Sequence, residues 1–235
     1  MHYSSRFRAG GGSSPRNNPK ATLSAPGYAV SLDALILDLD GTLVKLPVDW
    51  PTFEKYVETL IGRRMMFLEF VAKYFATPMF WRVHEFLERL ELEACNNMVV
   101  YDDTREFLDS VLSNARFLAV VTMQGSKPCL KIVERLGLVD RVFLCVTREV
   151  APTRYQQLSI ALELLNTDPS KTVFVGDKVI DGFAAHRCGI RGIVVMRGLA
   201  TPRISESDDI IEDLKSLGIH VVRNLREAIS ILKSL

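Results

Sequence analysis

Two aspartates that directly follow an apolar run mark the stretch of this chain with most chemical potential. Residues 35–40 read Leu-Ile-Leu-Asp-Leu-Asp, followed by Gly41 and Thr42. Asp38 and Asp40 are two residues apart, so on a strand they point to the same side. Two carboxylates this close repel each other unless a cation or a proton stabilises them. Mg²⁺ prefers oxygen ligands, so the pattern predicts a divalent-cation site rather than a solvated Asp-Gly turn.

A second apolar run also ends in a carboxylate. Residues 172–175 read Thr-Val-Phe-Val and precede Gly176 and Asp177, with Asp181 four residues farther on. An acidic helix N-terminus explains Asp181, but it does not explain why two apolar runs both end in aspartate. The carboxyl ends of parallel strands line one crevice in α/β proteins, so these acids are expected to share a site.

These stretches resemble motifs I and IV of the haloacid dehalogenase-like (HAD) hydrolase superfamily, in its helical-cap branch of phosphoglycolate phosphatases and β-phosphoglucomutases. Most members of the superfamily are Mg²⁺-dependent phosphatases. The resemblance implies that Asp38 is the nucleophile and that Asp40 is the general acid and base. It also implies that Asp38, the Asp40 main-chain carbonyl and Asp177 bind Mg²⁺, with Asp181 and Lys178 in supporting roles.

The other two motifs of the superfamily are less complete. Thr122 ends the apolar run 117–121, as in motif II, but Met123 stands where a small polar residue is usual. The motif III lysine is missing, since no lysine occurs between residues 132 and 170. Arg154 is the first substitute that we consider, and the other candidates are Arg148, Lys127 and Lys178. The predicted phosphate-binding residues are Thr122, Arg154, Gly41 and Thr42.

The surrounding pattern predicts the elements that position these residues. Strand and helix signals alternate after residue 104, which predicts an α/β fold with a doubly wound parallel sheet, a Rossmann-like core. Within residues 45–104, the stretches 52–76 and 80–96 instead show helical periodicity, so we predict an all-helical cap inserted after the first strand. The predicted core therefore comprises residues 29–44 and 105–235. Residues 1–28 are basic and rich in Gly, Ser and Pro, and are predicted to form a disordered tail.

Composition limits the class of protein further. The net charge of +1 gives no reason to expect nucleic-acid binding, and no apolar run reaches the roughly 20 residues of a membrane span. The four cysteines form no Cys-x-x-Cys pair and read as buried free thiols, which favours a reducing, cytoplasmic location. The expected partner is a small phosphorylated metabolite such as phosphoglycolate or a sugar phosphate, bound by a monomer or a homodimer.

The sequence thus predicts a Mg²⁺-dependent phosphatase that hydrolyses a small phosphate monoester through an aspartyl-phosphate. In the superfamily, an acid at position 40 favours release of an alcohol over carbon–halogen cleavage. Three alternatives stay open, of which one is an α/β domain with incidental acidic turns. A phosphomutase would use the same residues, and a catalytically weakened binding or regulatory protein would account for Met123 and the missing lysine.

Overall fold

The computed structural model describes residues 32–197 and 208–234. The predicted tail at 1–28 lies outside these residues. The strands are β1 (Leu32–Leu37), β2 (Val44–Lys45), β3 (Val99–Val100), β4 (Ala115–Val121), β5 (Val142–Val146), β6 (Thr172–Gly176), β7 (Arg191–Val195) and β8 (His220–Val222). The helices are α1 (Trp50–Ile61), α2 (Phe67–Tyr74), α3 (Pro78–Ala94), α4 (Thr104–Val111), α5 (Ser126–Arg135), α6 (Arg154–Leu165), α7 (Val179–Arg187), α8 (Asp208–Ser216) and α9 (Leu225–Ser234).

Six of these strands form one parallel sheet in the order β5-β4-β1-β6-β7-β8. Strand β1 lies in the interior of the sheet, and successive residues belong to different apolar layers. Leu35 and Leu37 pack in the layer with α4, α5 and α9, whereas Ala34 and Ile36 pack in the layer with α6 and α7. Helices on both faces explain the apolar run of residues 34–37 in β1. The predicted doubly wound α/β fold is confirmed.

Three helices, α1 to α3, lie in the chain between β1 and the next strand of the large sheet, β4. They share an apolar core that includes Phe53, Val57, Phe70, Phe80 and Leu87. The short antiparallel pair of β2 and β3 joins the two ends of this insert. Helix α1 ends at Gly62, which has a left-handed φ of 74°, and glycine adopts this conformation without steric cost. The helices lie within the segment 45–104 for which we predicted a cap.

One expectation about the cysteines was wrong. Cys145 is exposed rather than buried, because β5 is an edge strand whose residues alternate between the protein and solvent. Cys95 and Cys129 are buried as expected. Within the described ranges, no helix combines the length and the apolar character that a membrane span needs.

Candidate active site

The turn after β1 holds both aspartates of the first motif. Asp38 is 2% exposed, and its backbone N–H donates to the carbonyl of Val175 on β6 (2.9 Å). The Asp40 carboxylate accepts a hydrogen bond from the backbone N–H of Leu46 (2.7 Å). Burial raises the pKa of Asp38, and it raises the pKa of Asp40 to about 6. Both carboxyl groups therefore bind a proton more readily than an exposed aspartate.

Gly41 brings this turn against the end of β6. Its φ is +90°, and a Cβ atom on it would overlap the Asp177 carboxylate, with Cγ only 2.5 Å away. A glycine is thus required both by backbone conformation and by space. Asp177 also forms an ion pair with Lys178, whose Nζ lies 2.9 Å from Oδ1. Burial raises the pKa of Asp177 to about 7 in spite of this cation.

Arg154, at the start of α6, is the cation that reaches Asp38. Its Nη2 lies 3.2 Å from Asp38 Oδ1, and its Nε donates to Asp181 Oδ1 (2.8 Å). Its Nη1 donates to the carbonyl of Val121 at the end of β4 (2.7 Å). The side chain is 6% exposed. Burial disfavours its charge, but Asp38 and Asp181 outweigh that effect and raise the pKa of Arg154.

The Asp181 side chain, in the first turn of α7, accepts hydrogen bonds from the backbone that precedes the helix. Its Oδ2 accepts the backbone N–H groups of Asp177 (3.1 Å) and Lys178 (3.0 Å). Both of its oxygens are therefore engaged, one with Arg154 and one with the backbone. This geometry makes Asp181 the residue that aligns Arg154 with the loop after β6.

The acids form a cluster suited to a divalent cation. Asp38, Asp177 and Asp181 each offer a carboxylate oxygen, and these oxygens lie within 4.8 Å of one another. Hard oxygen donors are the ligands that Mg²⁺ prefers. Asp38 and Asp177 also have pKa values raised by burial, so a nearby cation would stabilise their ionised forms. The donor set fits Mg²⁺.

Thr122 lies at the end of β4 and is buried. Its hydroxyl accepts a hydrogen bond from the backbone N–H of Gln124 (3.3 Å), and the Gln124 side-chain Oε1 lies 3.4 Å away. Gln157, three residues after Arg154, donates to the Thr122 carbonyl (2.9 Å) and accepts from Arg154 (3.1 Å). Neither glutamine was among the site residues predicted from the sequence. A buried glutamine one helical turn from Arg154 was a usable signal for Gln157.

Gln124 has an unusual feature for a buried side chain. It is 6% exposed, and its Nε2 has no hydrogen-bond partner among the described residues. A buried donor without an acceptor costs free energy. The amide lines the same cleft as Asp38 and Thr122, so an acceptor that enters this cleft would satisfy it.

The cleft lies between α1, α2 and α3 on one side and the sheet edge on the other. Its volume is about 250 Å³. Of the predicted site residues, those that line it are Asp38, Asp40, Thr122, Arg154, Lys178 and Asp181. Asp177, Gly41 and Thr42 are not among its lining residues. Thr42 is fully buried and its carbonyl accepts from Arg197 (2.9 Å), so its phosphate-binding role, like that of Gly41, stays a prediction.

The other cations considered as lysine substitutes lie elsewhere, apart from Lys178. Arg148 is buried against the cap, where its Nη1 lies 2.6 Å from Glu91 Oε1 and its Nε donates to His84 (3.0 Å). Lys127 is exposed and pairs with Glu88 of α3 (2.6 Å). These two residues therefore join the cap to the core rather than reach Asp38.

Two named phosphatases are similar to this chain in sequence. N-acetylmuramic acid 6-phosphate phosphatase from Pseudomonas aeruginosa is 26% identical in an alignment of 193 residues that covers 73% of this chain and 84% of that protein. The enzyme of the same name from Pseudomonas putida is 25% identical over 135 residues. The second match covers 55% of this chain and 60% of the relative, less than two thirds of its length.

Solved structures share the fold at lower identity. A haloacid dehalogenase-like hydrolase from Streptococcus pneumoniae has a TM-score of 0.64 and 14% identity, covering 86% of this chain and 99% of that one. L-2-haloacid dehalogenase from Xanthobacter autotrophicus has a TM-score of 0.55 and 17% identity, covering 87% and 99%. These likenesses show the fold alone, because one fold supports different reactions in different proteins.

A family model supports the same relationship along the chain. The model described as haloacid dehalogenase-like hydrolase matches residues 48–195, which is more than half of the sequence. The match includes the elements that carry Thr122, Arg154 and Asp177, whereas Asp38 and Asp40 precede it. Together with the fold, this match confirms the relationship predicted from the motifs: the chain belongs to the haloacid dehalogenase-like hydrolase family.

Proposed function

We propose that this protein is a Mg²⁺-dependent phosphatase that hydrolyses a small phosphate monoester through an aspartyl-phosphate. The observation that carries the proposal is the ion pair between Arg154 and Asp38 at the floor of the cleft, at 3.2 Å. It puts a carboxylate nucleophile beside a fixed cation that can hold a phosphoryl group. The two Pseudomonas relatives are phosphatases by name, which supports the same reaction class.

The reaction divides into two displacements. In the first, an Asp38 carboxylate oxygen bonds to phosphorus while the bond to the ester oxygen breaks, and Asp40 gives its proton to that oxygen. In the second, a water oxygen bonds to phosphorus, the bond to Asp38 breaks, and Asp40 takes the proton of the water. The raised pKa of Asp40, about 6, suits a group that must both give and take a proton.

The cation site complements this chemistry. Asp38, Asp177 and the main-chain carbonyl of Asp40 would hold Mg²⁺, while Asp181 is occupied with Arg154 and the backbone. Bound Mg²⁺ would offset the repulsion between the anionic nucleophile and the anionic ester.

The phosphoryl oxygens need donors in addition to the cation. Arg154 and the Thr122 hydroxyl supply two of these donors. We assign a third to the free Nε2 of Gln124, which lies beside Thr122 and would take over the contact usually made from the position of Met123. A Gln124→Met substitution keeps the side-chain length and removes the amide, so it is expected to weaken phosphate binding.

The direct test is hydrolysis of p-nitrophenyl phosphate by the purified full chain, with Mg²⁺ and with EDTA. Asp38→Asn should abolish turnover because an amide is not a nucleophile. Asp109→Asn, at an exposed position of α4 outside the cleft, is the matched control and should retain activity. Metal-independent release, or release that persists in Asp38→Asn, would refute the proposal.

The product separates the phosphatase from a phosphomutase that uses the same residues. With an alkyl phosphate as substrate, a phosphatase releases inorganic phosphate and the alcohol in equal amounts. Transfer of the phosphoryl group to a second hydroxyl without phosphate release would favour the mutase.

A further inference from the structure

Eight apolar side chains, from both the cap and the core, line the cleft. The cap contributes Val48, Trp50, Phe67, Leu68 and Ala72, and the core contributes Met123, Pro152 and Ile180. The Trp50 and Phe67 rings are in contact, with centroids 5.6 Å apart. Trp50, Leu68 and Ile180 are 37%, 40% and 50% exposed, so the mouth of the cleft presents apolar surface to water. A bound apolar group would cover this surface.

The polar lining residues that have no role in the proposed reaction already form hydrogen bonds within the protein. Glu91 accepts from Arg148 with one oxygen (2.6 Å) and from the backbone N–H of Gly125 with the other (3.1 Å). The Thr153 hydroxyl caps α6 by accepting from the N–H of Gln156 (3.3 Å), and it donates to the Gln156 side chain (2.8 Å). Apart from the groups assigned to the proposed reaction, the described lining residues thus offer few free groups to the hydroxyls of a polyol, which would lose hydrogen bonds to water on entry.

From this distribution we infer that the preferred substrate is a phosphate monoester whose leaving group is an apolar alcohol of about the size of one ring. The inference rests on the proposed phosphatase function and specifies its substrate class. A dry apolar cavity of roughly 150 Å³ in another protein holds benzene. The cleft of about 250 Å³ therefore has space for one ring beside a phosphoryl group at Asp38.

The test compares esters that differ in polarity but not in the type of leaving group. Benzyl phosphate and glycerol 1-phosphate both release a primary alcohol, so the intrinsic reactivity of the leaving group does not decide the comparison. We expect kcat/KM to be at least about tenfold higher for benzyl phosphate. An equal or higher value for glycerol 1-phosphate, with both activities lost in Asp38→Asn, would overturn the inference and leave the phosphatase function intact.

A pair of variants connects the preference to the cap. Leu68→Asn places an amide in the apolar wall and should lower the ratio of the two kcat/KM values about tenfold. Leu130→Asn is the matched control, because Leu130 is also a helical leucine, is 43% exposed and lies outside the cleft lining. The control should leave the ratio unchanged. An unchanged ratio in Leu68→Asn would also overturn the inference.

Binding of non-hydrolysable phosphonates keeps the test independent of turnover. Calorimetry in the presence of Mg²⁺ would compare benzylphosphonate with 2,3-dihydroxypropylphosphonate. Tighter binding of benzylphosphonate, by about tenfold, supports the apolar preference of the cleft. If no ester is hydrolysed, the proposed function and the substrate assignment that rests on it fail, and only this binding preference stands. Equal or tighter binding of the dihydroxypropyl compound overturns the inference.

Discussion

Substitution of Gly41 by alanine is expected to disrupt the site through a single methyl group. Gly41 has a φ of +90°, and its Cβ position lies 2.5 Å from the Asp177 carboxylate carbon. An ordinary contact at this place begins at 3.4 Å. The alanine therefore has to move the carboxylate, or the turn that carries Asp38, by the difference of about 1 Å between these two distances.

Gly41→Ala is expected to have two effects, one on stability and one on the rate of turnover. A non-glycine residue in the left-handed region costs roughly 1–2 kcal/mol of stability. Displacement of a reacting or binding group by about 1 Å costs on the order of 10²-fold in rate. Gly218→Ala separates these effects, because Gly218 has a φ of +77° and nothing lies within 4 Å of its Cβ position. It should lose comparable stability and retain turnover.

The assay measures kcat and the Mg²⁺ concentration for half-maximal rate in both variants, together with the free energy of unfolding by chemical denaturation. Gly41→Ala should lower kcat about a hundredfold and require more Mg²⁺, since Asp177 is a predicted ligand. If the two variants retain equal activity at equal stability, the close approach of Gly41 to Asp177 does not position the site, and the reasoning is refuted.

Further predictions concern the charged groups. Asp40→Asn should slow turnover about 10²–10⁴-fold without weakening Mg²⁺ binding, for which we propose its main-chain carbonyl as the ligand; near-normal rates would exclude it as the acid. Arg154→Lys should retain more activity than Arg154→Met, and the latter should lose about 3–5 kcal/mol of stability because buried carboxylates lose their cation; equal rates would show that the charge is dispensable. Arg148→Met should also cost about 3–5 kcal/mol by leaving Glu91 buried without its cation, and an added Glu91→Leu should restore much of the loss, as denaturation curves would reveal. Burial raises the pKa of Asp40 to about 6 and of Asp177 to about 7, from an ordinary 3.8. The folded protein then holds more protons than the unfolded chain in that window, so metal-free protein in EDTA should become less stable as the pH rises from about 4 to about 7; rising stability in denaturation experiments there would contradict this.

Much of the fold was predictable because its signals are local. The apolar run of β1 and its two aspartates stand together in the chain, as do β6 and Asp177, and strand and helix patterns alternate in between. Parallel strands bring their carboxyl ends to one edge, so a local pattern was enough to place Asp38, Thr122 and Asp177 near each other. The break at Gly62 was predictable for the same reason, since glycine ends helices in the left-handed conformation.

The pairings of side chains required the tertiary structure. Arg154, Arg148, Lys127 and Lys178 all carry the charge that the missing lysine would supply, and nothing local distinguishes which one reaches Asp38. The distances in the structure distinguish these cations, because Arg154 contacts Asp38 whereas Arg148 forms an ion pair with Glu91 of the cap.

Hydrophobic periodicity and the residues at strand ends are properties of neighbouring positions in the chain. The sequence alone was therefore enough to predict that carboxylates end two strands of a parallel α/β sheet. Only the tertiary structure shows which cation pairs with Asp38, that the described residues leave the buried Gln124 amide without a partner, and that apolar side chains line the same cleft as the acids. These features depend on contacts between residues far apart in the chain. The energies of these contacts depend on burial and on the distances between side chains, which cannot be read from neighbouring residues in the sequence.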